Sequence, residues 1–273
     1  MKALAGKTAV VTGAGSGLGR AMALAFAREG MHLALCDVDE KGLGETTSLL
    51  ESPPLVAARV DVSKAAEVES LAARVPEPWL VCNNAGVSPL GAVWENTVED
   101  WQWILNVNLW GVINGVRAFA PQLIAQNAGH IVNTASVAGL ISPPGSGAYN
   151  VTKHAVVALS ESLYHDLHER NCGVGVSVLC PAYVPTGIVD SERSRPADLP
   201  GGMKSEETRK KELMMRKAVL SGRLSADDIA NAVVAAVKAD RFYILTHPRI
   251  KGAIQARMED ILQERPPRNP LAL

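Results

Sequence analysis

The sequence predicts an α/β fold: a parallel sheet, doubly wound, with helices on both faces. Two features of its patterning and one of its size say so. Short runs that are apolar on nearly every residue alternate with longer segments of helical period. Strands apolar on consecutive residues bury both faces, as a parallel sheet between two helical layers requires. The chain has 273 residues, 47% hydrophobic and 20% charged, which suits one such domain with a sizeable core.

The elements follow in order. Thr8–Val11 is the first strand and Gly17–Glu29 the first helix. His32–Asp37 (HLALCD) is the second strand, followed by a polar helix reaching about Leu50. Leu55–Val60 is the third strand, Lys64–Val75 the third helix and Trp79–Cys82 the fourth strand. Val98–Gln126 reads as one long helix, His130–Thr134 as a strand, Tyr149–Arg170 as a second long helix and Val174–Leu179 as a strand. Ala226–Ala239 is helical and Phe242–Leu245 is a last strand. The pattern breaks over Thr186–Lys217, which holds Pro196, Pro200, Gly201, Gly202 and many charges. An irregular stretch of that length reads as a lid or binding loop. The whole chain, 1–273, is expected to be one domain, with a substrate-binding loop at about 186–222 and a C-terminal extension at about 247–273. Its end, Arg265–Leu273, carries three prolines and reads as an extended arm.

Composition excludes several classes of function. A net charge of -1 offers no broad basic field for nucleic acid. Aromatics at 4% give no base-stacking platform. Cys36, Cys82, Cys172 and Cys180 form no CxxC pair, and three of them sit in apolar strand-like runs. They read as small buried thiols, so neither disulfides nor metal ligands are expected. No 18-residue apolar run and no signal-like N-terminus occur, so a cytoplasmic protein with no membrane partner is expected.

Thr12–Gly19 (TGAGSGLG) directly follows the first strand and opens the first helix. Gly13, Gly17 and Gly19 let the backbone turn tightly and approach a pyrophosphate, with Ser16 and Leu18 in the same turn. The helix N-terminus adds free N–H groups and partial positive charge. The second strand ends at Asp37, eighteen residues after Gly19. A carboxylate there can accept hydrogen bonds from both ribose hydroxyls of an adenosine and would repel a 2′-phosphate. No arginine or lysine stands at Ser16 or Val38 to offset that, so NAD is favoured over NADP. Asp37 could instead be a helix N-cap, a role equally open to Asp39. Asp61-Val62 ends the third strand and Asn83-Asn84-Ala85-Gly86 the fourth. Ligands bind at such carboxyl ends, so Asp61 could receive the adenine amino group, while Asn84 and Gly86 line the adenosine side.

Tyr149 and Lys153 stand at i and i+4, one face of a helix. A free tyrosine titrates near 10, too high for acid–base work at neutral pH; a nearby ammonium and an oxidised nicotinamide both favour the phenolate. The fifth strand runs into Ser136, thirteen residues before Tyr149, whose hydroxyl could bond a substrate oxygen. Asn108, held at a kink near Gly111, could position a water. After the sixth strand, Pro181-Ala182-Tyr183-Val184-Pro185-Thr186 could anchor a nicotinamide carboxamide through the Val184 backbone and the Thr186 hydroxyl.

With TGxxxGxG at Thr12–Gly19, NNAG at Asn83–Gly86, Asn108, Ser136 and YxxxK at Tyr149–Lys153 in this order, the chain resembles a classical short-chain dehydrogenase/reductase from Gly6 to about Leu245. The resemblance implies a Rossmann sheet of seven parallel strands, no metal in the chemistry, and a homotetramer or dimer. It implies a catalytic tetrad of Asn108, Ser136, Tyr149 and Lys153. Ser136 and Tyr149 would grip the substrate oxygen, and Tyr149 would take the alcohol proton while hydride passes to nicotinamide C4. Lys153 would lower the tyrosine pKa and hold the ribose, and Asn108 with a water would relay the proton. The expected cofactor contacts are Gly13, Ser16, Gly17, Leu18, Gly19, Asp37, Asp61, Val62, Asn84, Ala85, Gly86, Tyr149, Lys153, Pro181, Val184 and Thr186. Two features depart from the family pattern: Pro181-Ala182 replaces Pro-Gly, and Val75–Trp79 is a short, proline-bearing link. An alanine enters positive φ less readily than glycine, which puts the path of the nicotinamide loop in question.

Val137, Pro143, Tyr183 and Ile188, with Trp94, are the expected substrate walls; they would suit a bulky or aromatic alcohol or ketone. His154 points about 100° away from Lys153 on a helix and reads as packing or interface. Trp101 and Trp103 read as packing or subunit contacts. The two long helices, apolar on more than one face, would pair across a dimer axis. The expected activity is hydride transfer between NAD(H) and a secondary alcohol or ketone. An NAD-using epimerase or dehydratase and a non-catalytic nucleotide-sensing protein are the other readings of the same fold.

Overall fold

The computed structural model describes residues 2–272. Its strands are β1 (Thr8–Thr12), β2 (His32–Asp37), β3 (Val56–Arg59), β4 (Pro78–Asn83), β5 (Gly129–Thr134), β6 (Val174–Leu179) and β7 (Tyr243–Ile244). They form one seven-stranded sheet in the order β3-β2-β1-β4-β5-β6-β7, and every neighbouring pair is parallel. The helices are α1 (Gly17–Arg28), α2 (Glu40–Ser48), α3 (Ala65–Arg74), α4 (Val98–Leu105), α5 (Gly111–Ala125), α6 (Gly147–Glu169), α7 (Glu206–Leu220), α8 (Ala226–Lys238) and α9 (Ile250–Leu262).

The consecutive apolar runs have the predicted consequence. In β1, Ala9 and Val11 join a core with Met22 and Phe26 of α1 and Val233 and Val237 of α8. Val10, between them, joins the opposite core with Leu71 of α3, Phe119 and Leu123 of α5 and Leu167 of α6. Each such large side chain, fully withdrawn from water, contributes about 1.5–3 kcal/mol. Below the sheet's carboxyl edge the Asn83 amide donates to Asn133 Oδ1 (2.9 Å) and the Asn133 amide to Ser160 Oγ (3.0 Å). This buried relay ties β4, β5 and α6 together.

The strand order reverses between β1 and β4, and a crevice opens beyond the carboxyl ends at such a switch point. Register sets Thr12 beside Cys36, Asn83 beside Asn133 and Thr134 beside Leu179. The segments that carry the motifs therefore leave the sheet along one edge.

Three parts of the fold differ from the sequence expectation. Val98–Gln126 is not one α-helix: a π-turn, Asn106–Trp110, separates α4 from α5, and the Gly111 N–H donates to the Asn106 carbonyl five residues back. The segment Thr186–Lys217 is not irregular throughout. It holds a 3-10 strap, Gly187–Ser194, and most of α7, whose N-cap Ser205 accepts from Thr208 N at 3.1 Å. Glu206–Lys210 and Glu207–Lys211 pairs at i,i+4 line the exposed side of α7. The extension beyond β7 contains α9, and the arm after it is fastened by Arg268, which donates to Asp260 Oδ2 (3.0 Å) and the Ala256 carbonyl (2.8 Å). The last residue of that arm, Leu273, lies outside the described residues. Among the described residues no helix is long and apolar enough to cross a membrane.

Candidate active site

A cavity of about 890 Å³ runs along the carboxyl edge of the sheet. Of the residues that the sequence singles out for the site, all but Gly19, Asn108 and Trp94 line it.

At one end lies the glycine turn. Gly13 and Gly17 have φ of 67° and 51°, and a β-carbon on Gly13 would come within 2.8 Å of the Ala85 backbone. Thr12 Oγ1 accepts from Asn84 N (2.9 Å) and Ala85 N (3.1 Å), so the loops after β1 and β4 are bound to each other. The N-terminus of α1 has no acidic residue in its first turn, and Ser16 makes no side-chain cap, which leaves its N–H groups for an anion. Gly19 sits behind the turn: a β-carbon there would overlap the Gly13 carbonyl. It packs closely against the turn.

Asp37 separates from Asp39. Asp39 caps α2, accepting from Gly42 N at 3.1 Å. Asp37 lines the cavity, with Oδ2 accepting from Gly15 N (2.8 Å) and Oδ1 from Asp39 N (2.9 Å). A carboxylate offers about four lone-pair sites, so acceptor capacity is left for a diol. The nearby cation Arg20 is committed to the carbonyls of Gly15 (2.6 Å) and Gly42 (3.1 Å) and to Glu45 (2.9 Å).

At the other end, Ser136, Tyr149 and Lys153 converge. Lys153 is 3% exposed and donates to the Thr134 carbonyl at 2.9 Å. Its Nζ stands 5.5 Å from the centre of the Tyr149 ring. Burial draws the Lys153 ammonium down to about 8. Burial pushes the Tyr149 phenol up from its ordinary value, opposed by a hydrogen bond with Ser136. The Ser136 hydroxyl also accepts from Ala138 N at 3.1 Å, at the head of a 3-10 turn, Val137–Gly139. That turn is pressed on α6, since a β-carbon on Gly139 would overlap the Lys153 carbonyl.

Asn108 lies in the π-turn and is fully buried. Its Oδ1 accepts from Val87 N (2.8 Å), and its Nδ2 donates to Val87 O (2.9 Å) and Thr152 Oγ1 (3.3 Å). The side chain thus clips the loop after β4 to α6. The Pro181-Ala182 departure resolves simply. Ala182 is not among the residues with positive φ, and its N–H donates to His247 Nδ1 at 3.2 Å.

Val137, Pro143, Tyr183 and Ile188 line the cavity, and Trp94 does not. Trp94 is 86% exposed. Its neighbour in type, Trp103, is the tryptophan on the wall, 1% exposed and stacked under the Arg195 guanidinium at 4.1 Å. Further lining comes from Ile141, Leu199 and Met215, and from Pro270 and Leu271 of the arm. His154 turns away: its Nδ1 lies 2.9 Å from the Asn150 carbonyl.

The comparisons with known proteins agree with this geometry. Residues 7–197 match the family described as short chain dehydrogenase. A CLA biosynthesis dehydrogenase/reductase of Lactiplantibacillus plantarum is 32% identical over 98% of this chain and 97% of its own length. The 1-deoxy-11-beta-hydroxypentalenate dehydrogenase of Streptomyces exfoliatus is 33% identical, over 93% of this chain and 88% of that protein. The crystal structure of a short-chain dehydrogenase/reductase from Burkholderia phymatum in complex with NAD superimposes with a TM-score of 0.97 at 48% identity, over 100% of both chains. The family match, the identity to these relatives and the superposition lead to one conclusion: this chain belongs to the short-chain dehydrogenase family of oxidoreductases.

Proposed function

We propose that this protein transfers hydride between NAD(H) and a bulky secondary alcohol or ketone. The observation that carries the reading is the convergence of Ser136, Tyr149 and Lys153 on the cavity that holds Asp37 at its other end.

The groove fits a dinucleotide. The free N-terminus of α1 suits a diphosphate, and the remaining acceptor capacity of Asp37 suits an unmodified ribose. Arg20, already bonded to Glu45 and two carbonyls, is poorly placed to neutralise a 2′-phosphate, so NAD is preferred to NADP. Asp61, Val62, Asn84, Ala85 and Gly86 would border the adenosine half, and Pro181, Val184 and Thr186 the nicotinamide half. NAD bound there would supply the hydride acceptor and, while oxidised, a positive charge beside the phenol.

The chain's own residues do the rest. Ser136 and Tyr149 hold the substrate oxygen, and the Tyr149 oxygen takes its proton. Burial alone disfavours that phenolate. The Ser136 hydrogen bond opposes this, and positive charge nearby would add to it; Lys153 Nζ stands 5.5 Å from the ring centre. Below about 8 the lysine is charged and can offset the phenolate. The Asn108 side chain fixes the π-turn, which leaves the main chain of that turn as the route for a proton-relaying water. The wall of Val137, Ile141, Pro143, Trp103, Tyr183 and Ile188 favours an apolar or aromatic substrate. Exposed apolar Trp110 of the π-turn, and Val151 and Tyr164 of α6, are the surface offered for self-association into a dimer or tetramer. A screen of aliphatic and aryl alcohols and ketones with NAD(H) and NADP(H) tests the reading. Turnover of bulky substrates with NAD supports it; turnover with NADP alone contradicts it.

A further inference from the structure

We propose that Arg193, carried on the strap Gly187–Ser194, is a clamp for the diphosphate of the bound dinucleotide. The proposal rests on the reading of that groove as a nucleotide site.

The strap lines the cavity and is stitched at several points. Ser88 N, just past the loop after β4, donates to Ser191 Oγ at 3.0 Å. Arg195 forms a buried ion pair with Asp100 of α4 at 2.7 Å. At the cofactor end, Arg193 Nη2 lies 3.3 Å from Ser16 Oγ, at the N-terminus of α1. The guanidinium is aimed by its own strap, since Nη1 donates to the carbonyls of Gly187 (2.8 Å) and Asp190 (3.0 Å). Gly187 makes the room: a β-carbon there would stand 3.3 Å from Nη1.

The electrostatics of this contact are incomplete. The N-terminus of α1 carries partial positive charge, and no acidic residue occupies its first turn. A full positive charge is turned toward it. Among the described residues Arg193 has no ion-pair partner, because the acids beside it are taken: Asp190 by Arg216 and Glu192 by Arg195. An anion between or beside these two positive ends would be attracted by both. A diphosphate at the glycine turn is that anion, and a guanidinium accepts its geometry through two parallel N–H groups. The same strap carries Ile188 into the substrate wall, and Thr186 just before it reaches the glycine turn, within 3.2 Å of where a β-carbon on Gly17 would stand.

The test uses the full chain and two probes, ADP-ribose, which carries the diphosphate, and adenosine, which does not. Affinities are measured by calorimetry for the wild type, Arg193→Ala and Arg193→Lys, and cleavage after Glu192 by a glutamate-specific protease is timed with and without ADP-ribose. Arg193→Ala should weaken ADP-ribose about tenfold and leave adenosine within about twofold, with Arg193→Lys between the two. ADP-ribose should slow the cleavage in the wild type and not in Arg193→Ala. Equal ADP-ribose affinity in wild type and Arg193→Ala overturns the clamp, as does equal weakening of both probes. A wild type that binds neither probe overturns the nucleotide reading itself, and the clamp with it.

Discussion

Lys153 donates to the main-chain carbonyl of Thr134 at 2.9 Å, which joins α6 to the end of β5 beneath the candidate catalytic tyrosine. The bond holds an ammonium in a buried place where its pKa falls to about 8. The linkage follows from the sign. The unfolded lysine titrates near 10.5 and the folded one near 8, so between those values the unfolded chain binds more protons. Its contribution to stability is therefore complete above 10.5 and is lost as pH falls through 8. Lys153→Met, which carries no buried charge, should gain most in melting temperature over the wild type at pH 7 and least near pH 10.5. Calorimetric scans across that range check this; a gap that does not narrow contradicts it. The same variant should lose turnover by at least about 100-fold.

Asp37→Ser tests cofactor choice. The substitution removes the carboxylate that can accept from a ribose diol and repel a 2′-phosphate. NAD affinity should fall about tenfold or more while NADP affinity rises, as read by equilibrium titration of both. Because Asp37 also holds Gly15 N and Asp39 N, the ratio of the two affinities is the diagnostic quantity. A ratio equal to that of the wild type would show that Asp37 does not select the cofactor.

Gly19→Ala should damage the nucleotide site without touching a ligand. Its methyl would overlap the Gly13 carbonyl and approach the Asn84 amide, so the turn has to move. A loss of about 1–3 kcal/mol in denaturant unfolding, with weakened cofactor binding, is expected. Unchanged stability would mean that the turn gives way easily.

Asn108→Ala removes both hydrogen bonds that clip Val87. It leaves a buried N–H and C=O unsatisfied, at about 1–3 kcal/mol each. Stability and turnover should fall together. A variant that loses turnover at unchanged stability would instead place Asn108's side chain in the chemistry.

The parts legible in the sequence were those fixed by local pattern. Apolar runs on both faces gave the strands, and motif residues at strand ends came to one edge because parallel register aligns those ends. Tyr149, Lys153 and Ser136 share a cavity for that reason. What depends on the path of a loop was not legible. Trp94 follows the Asn84–Gly86 loop in sequence yet faces solvent, whereas Trp103, read as packing or a subunit contact, forms wall. Arg193 and Arg195 acquire roles only once the strap's course is known. Helix α7 was hidden by its charge-rich surface and the prolines before it, and α9 by its weak apolar stripe. The π-turn at Asn106–Trp110 leaves no mark in helical periodicity beyond Gly111, whose β-carbon would crowd Val62.

The central claim is that Tyr149 exchanges the proton. The most direct measurement compares Tyr149→Phe with the wild type for NADH formation from a secondary alcohol, alongside NAD affinity of both proteins. The account predicts turnover lower by about 100-fold or more with affinity kept within about twofold. A phenylalanine variant that forms NADH at the wild-type rate would contradict it.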